Sequence, residues 1–166
     1  MNTPPTPSPD AARLERSYDA PAELVWELLT TAAGLDEWWA PDGFETKVSE
    51  IELRPGGQLR YTMTATSAEQ VAFMRETGNP LAVQLRKTFT EVAPPARLAY
   101  LSLIDFVPGI EAYEHLTTID IEPAGDRTIV VMTINPLHDE IWTQGYRAHR
   151  GSELDKLGAA IKRRAR

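Results

Sequence analysis

The chain has 166 residues, 42% of them hydrophobic, a formal net charge of −7 and a pI near 5.0. That acidic balance gives no general attraction to nucleic acid or to anionic lipid, and the longest apolar runs, such as Ile129 to Met132, fall far short of a membrane span. The absence of cysteine excludes disulfides, thiolate nucleophiles and cysteine metal sites, and it fits a reducing, cytoplasmic setting.

Pro4, Pro5, Pro7 and Pro9 crowd residues 1–11, without the basic and apolar regions of a secretory signal, so this stretch reads as a disordered, polyproline-like tail. Residues 12–166 read as one domain, since no repeat or linker divides them. Ala12 to Tyr18 alternates as a first strand. Pro21 then suits the first turn of a helix running to about Thr31, with Leu24, Val25, Leu28 and Leu29 on its inward stripe and Gly34 as its C-terminal cap. Leu35 to Ala40 predicts a second short helical turn, stopped by Pro41.

From Phe44 the period changes to two. Glu45 to Leu53 and Gln58 to Ala65, joined by the turn Arg54 to Gly57, predict a hairpin that puts Leu59, Tyr61 and Met63 on one face. Ser67 and Gln70 have capping-box spacing ahead of Val71, Phe73 and Met74, with Gly78 and Pro80 beyond, so a short inserted helix follows. Four more strands are expected at Leu81 to Glu91, Arg97 to Ile104, Tyr113 to Glu122 and Thr128 to Asn135. In the remainder, Asp139 to Lys162, the residues Trp142, Tyr146, His149, Leu154, Leu157 and Ile161 recur at helical spacings and predict one long amphipathic helix. This order is α+β: a meandering antiparallel sheet that must curl as it twists, against a helix too slender to fill its concave face. A cavity is expected between them.

The stretches APAELVWELLT, GLDEWW, ELRPGGQLRYTM, TEVAPPARLAY and GSELDKLGAAI resemble, in that order, the START-like (SRPBCC) superfamily. Within it the chain is similar to bacterial domains related to the C-terminal domain of the heat-shock-protein-90 ATPase activator. The resemblance implies a helix-grip fold, a curved antiparallel sheet around the long C-terminal helix with a hydrophobic cavity. It also implies a glycine followed by tryptophan where this chain has Gly151 and Ser152, so the cavity should be roomier there. By the same pattern Trp38 is an anchor. Trp39 points about 100° away around the helical turn and is the better candidate to face the cavity.

Strand alternation puts Tyr113, His115 and Thr117 on the side of Ile119 and Ile121, the inward side. A phenol, an imidazole and a hydroxyl facing an apolar cavity need partners, which a polar ligand group, ordered water or neighbouring protein groups would supply. Asp105 is either a turn residue or a partner for His115, and Trp142 and Tyr146 share a helix stripe. Phe73 and Met74 of the insert would cover the cavity mouth, or only pack beside it. No metal-ligand spacing, GxSxG elbow or phosphate-cradling loop occurs, and no cofactor is expected.

Three functions stay open. The first is a carrier or sensor for a small apolar or amphipathic molecule. It would use Trp39, Leu59, Tyr61, Met63, Phe73, Met74, Trp142 and Tyr146 for contact, with Asp105, Tyr113 and His115 for orientation. By analogy with superfamily polyketide cyclases and aromatases, the second is an enzyme with His115 as general acid or base. The third, by the family name, is a co-chaperone acting on a heat-shock ATPase in stress response.

Overall fold

A computed structural model describes residues 3–164. Its elements follow the expected order: β1 (Ala12–Tyr18), α1 (Ala22–Thr30), α2 (Ala32–Trp38), β2 (Phe44–Ile51), β3 (Gln58–Ala65), α3 (Ala68–Glu76), β4 (Ala82–Ala93), β5 (Arg97–Ile104), β6 (Tyr113–Ala124), β7 (Arg127–Ile134) and α4 (Glu140–Arg164). Consecutive strands from β2 to β7 pair antiparallel, with α3 inserted between β3 and β4, and β1 pairs with β7, giving one 7-stranded sheet in the order β1-β7-β6-β5-β4-β3-β2. The two strands that α1 and α2 connect therefore sit at opposite edges. The two helices must cross the sheet's concave side, and this fixes where Trp38 and Trp39 arrive.

Bulges at Val48/Glu50 in the β2–β3 pairing and at Phe89/Glu91 in the β4–β5 pairing add to the natural twist and bend the sheet around α4. Inward residues alternate as the sequence requires: Phe89 on β4, Leu98 and Tyr100 on β5, Ile119 and Ile121 on β6, and Val130, Met132 and Ile134 on β7 are all buried. They meet Val25, Leu28 and Leu29 of α1 and the second half of α4, where Leu154, Leu157, Ala160 and Ile161 are buried. Tyr18 of β1 donates its hydroxyl to the Leu154 carbonyl at 2.6 Å, and its ring lies where a Cβ on Gly158 would come within 3.1 Å. This close approach seats α4 on the sheet edge.

The first half of α4 behaves differently. From Glu140 to Glu153 only Arg150 is buried, so the helix, ~37 Å long, fills one end of the curled sheet and leaves the other open.

Three local expectations change. Pro21 caps α1 from outside instead of opening it, and Gly34 lies within α2. Gly34 is there for contact: a Cβ would sit 2.7 Å from the Glu27 carbonyl oxygen and 2.8 Å from Leu28 Cα, so the two helices pack with nothing between them. His149 is exposed, and its neighbour Arg150 takes the inward place. Residues 3–11 contain no helix or strand, and the Ser8 N–H donates to Asn135 Oδ1 at 2.9 Å, tying this segment to the end of β7.

Candidate functional site

The open end of the curled sheet encloses a cavity of about 720 Å³. Its walls come from four directions. Trp39 and the following Ala40 and Pro41 enter from the end of α2. Tyr61, Met63 and Leu85 come from β3 and β4, Phe73 and Met74 from α3, and Tyr146, Ala148 and Ser152 from α4.

Each wall has a local cause. α2 stops at Trp38 ahead of Pro41, and the Trp38 indole N–H donates to the Leu28 carbonyl at 2.8 Å, which makes that residue framework. Trp39, next in the chain, turns to the other side and packs on Tyr61 with ring centroids 4.6 Å apart. Lys156 of α4 clamps the loop, donating to the Ala40 carbonyl and pairing with Asp42 at 2.9 Å. α3 begins at the Ser67 cap, whose hydroxyl accepts from the Gln70 N–H at 3.2 Å. None of its residues is buried, and Phe73 is 54% exposed. Its Gln70, Phe73 and Met74 line the cavity.

The floor is polar. Lys87 on β4 is 4% exposed and donates to Ser102 Oγ on β5 at 2.7 Å. Its ammonium lies 4.8 Å from the Tyr100 ring centroid, 5.5 Å from that of Trp39 and 6.0 Å from that of Tyr61. Burial, and then repulsion from Arg150, hold its pKa well below the ordinary lysine value, with Glu153 acting in the other direction. Arg150 is 6% exposed, and its Nη1 donates to both oxygens of Glu153 at 2.9 and 3.0 Å. Burial works against its charge, but Glu153 and the neighbouring phenols keep the guanidinium protonated with a raised pKa. Burial also raises the Tyr61, Tyr100 and Tyr146 hydroxyls, so all three stay neutral.

Of the residues singled out from the sequence, Trp39, Tyr61, Met63, Phe73, Met74 and Tyr146 line the cavity. Leu59 faces the same way but lies in the core beside Trp38, Phe89 and Leu98. Asp105 is exposed, bordering a separate outer depression with Arg60 and Gln84, and it makes no bond to His115. Tyr113 is engaged elsewhere: its hydroxyl shares a hydrogen bond with His138 Nδ1 at 2.7 Å and accepts from the His138 backbone N–H at 3.2 Å. Trp142 stacks at the helix start against Phe106 and His138, outside the cavity lining.

His115 does face inward, but behind Tyr146, with ring centroids 5.5 Å apart. Its Nε2–H donates to the Asn135 carbonyl at 2.6 Å, which leaves Nδ1 an unprotonated, buried acceptor without a partner. Burial lowers its pKa to about 4, with Arg150 and Lys87 adding to the effect, so the imidazole is neutral at pH 7.

Lys87, Ser102, Arg150 and Glu153 were not anticipated, yet their positions carry a signal. Leu85, Lys87 and Phe89 share one strand face by period two, and Arg150 lies midway between Tyr146 and Leu154 on a helical stripe. A charged residue at an inward position is the mark that was there to read. A second hollow of about 430 Å³, beyond Trp38, is lined by Asp36, Glu37, Lys156 and Arg163, whose charges pair with one another or with nearby residues. Among the described residues, no three His, Asp or Glu side chains converge as metal ligands, and no helix is long and apolar enough to cross a membrane.

This architecture is shared. A crystal structure from Chromobacterium violaceum superposes with a TM-score of 0.71 at 22% identity, covering 92% of this chain and 97% of that one. A solution structure from Arthrobacter aurescens gives 0.72 at 19% identity over 92% and 86%. The AHSA1 protein of Silicibacter pomeroyi gives 0.71 at 19% identity over 92% and 97%. At these identities the likeness shows the helix-grip fold alone. No curated protein sequence matches significantly. A family model does match, over residues 19–161, and the chain belongs to the family of Activator of Hsp90 ATPase homolog 1-like proteins.

Proposed function

We propose that this chain is a binding module, a carrier or sensor that takes a small, mainly apolar or amphipathic molecule into the cavity between the sheet and the first half of α4. The observation that carries this reading is the cavity itself. At about 720 Å³ it lies within the usual range for small-molecule sites, and apolar and aromatic side chains surround a few convergent polar groups. The unburied α3 and the small Ser152 at the rim support entry from that side.

The test is titration with the neutral fluorophore N-phenylnaphthylamine. The reading expects saturable enhancement at one site with a dissociation constant in the micromolar range, together with a rise in Tm. Absence of both, with no small molecule retained in native mass spectrometry of protein from its own host, would remove its support.

The family description favours a second reading, an activator-like contact with a heat-shock ATPase. Adding the chain to purified Hsp90 and measuring ATP hydrolysis tests it. Catalysis by His115 has less support, because that side chain is bonded to Asn135 and stands behind Tyr146 instead of lining the cavity.

A further inference from the structure

The cavity floor is short of negative charge. Besides Lys87 and Arg150, the lining contains Arg86 and two carboxylates, Asp42 and Glu153. Both carboxylates are engaged. Asp42 pairs with Lys156, and Glu153 spends both oxygens on a single nitrogen of Arg150. Lys87 has no carboxylate within ion-pair distance among the described residues, and of its donors only one is bonded, to Ser102. Arg150 Nε is buried without a partner.

Two basic side chains more than nine-tenths buried have unpaired donors and one carboxylate between them, and an anion beside Lys87 would favour the ammonium form that its burial opposes. An oxyanion arriving at this floor would meet unspent N–H donors already oriented and already desolvated. A cationic ligand fits poorly. The rings of Trp39, Tyr61 and Tyr100 that would hold one already surround the Lys87 ammonium.

We infer that the occupant is an amphipathic monoanion, a carboxylate with an apolar body, whose head sits on the floor formed by Lys87, Ser102 and Arg150. Its body lies against Trp39, Tyr61, Met63 and Tyr146. This inference rests on the cavity reading above and names the chemical class of its ligand. No covalent step is involved, and specificity comes from pairing a buried charge that a neutral head would leave unmatched.

The experiment is calorimetric titration of the full chain with decanoate, decanamide and decylamine, which share a tail and differ in head charge. Decanoate is expected to bind at least tenfold more tightly than decanamide, with decylamine weakest. Lys87→Met should bring decanoate down to the level of decanamide without weakening decanamide, whereas Lys87→Arg should keep the preference. Equal affinity for decanoate and decanamide in the unmodified protein overturns the inference whatever the variants do. So does binding of neither where N-phenylnaphthylamine binds, and both of these outcomes leave the cavity reading in place. Failure of all four compounds to bind overturns both.

Discussion

His115 shows how a buried base makes folding depend on pH. Its folded pKa is about 4 against an ordinary 6.5, because burial, Arg150 and Lys87 all oppose the charged form. Between those two values the unfolded chain holds a proton that the folded chain does not, so acid favours unfolding. The stabilisation is complete above pH 6.5 and is lost as pH falls toward 4, by ~3 kcal/mol in all. In His115→Gln the side-chain amide can still donate to the Asn135 carbonyl, and it does not titrate. Urea unfolding of both proteins at pH 7 and at pH 4.5 should show a loss in the parent larger by ~2 kcal/mol than in the variant. An equal loss would mean that the imidazole is already solvated. The sequence disclosed that His115 points inward, because strand alternation is strict. It did not disclose that the Asn135 carbonyl would satisfy one ring nitrogen, because that partner lies beyond the end of β7 and is positioned only by the β6–β7 pairing. Lys87 and Arg150 were equally legible as inward positions. They were missed because charge at such a position is read by default as solvent-facing.

At the scale of the element, the two helices between β1 and β2 carry Trp39 to its place, and Gly34 sets their separation. Gly34→Ala must push Cβ against the Glu27 carbonyl and Leu28 Cα, both main-chain atoms that cannot swing away. A loss of ~2 kcal/mol in denaturant unfolding is expected, with a shift in tryptophan fluorescence as Trp38 and Trp39 move. α3 has the opposite character: it buries nothing and depends on its cap. Removing the Ser67 hydroxyl in Ser67→Ala should raise amide exchange across residues 70–76 about fivefold, the equivalent of ~1 kcal/mol. The global Tm should not change, since the helix contributes no core. If Tm falls with it, α3 belongs to the cooperative fold and is not a separate unit. The capping-box spacing announced this helix. Its lack of burial was not announced, because Phe73 and Met74 look like core until they are seen to border an open cavity.

The whole molecule divides its longest helix between two tasks. The second half of α4 closes the hydrophobic core through Leu154, Leu157, Ala160 and Ile161, whereas the first half, with Tyr146, Arg150 and Ser152, is a wall of the cavity. Helical spacing predicted the helix, and the curl of the sheet predicted that space would be left over. Neither could say which end stays open, since that depends on how Tyr18 and Gly158 seat the helix. Two substitutions separate the tasks. Leu157 is fully buried, and Leu157→Ala should cost ~3 kcal/mol in unfolding free energy through the void it leaves. Its affinity for N-phenylnaphthylamine, measured where the protein is still folded, should stay within twofold. Ser152 stands at the cavity rim, and Ser152→Trp adds an indole to open space, not to packed core. Stability should therefore change by less than ~1 kcal/mol, while fluorophore affinity falls at least tenfold. If Ser152→Trp unfolds the protein, or Leu157→Ala abolishes binding in the folded state, the halves are not separable and the cavity is part of the core.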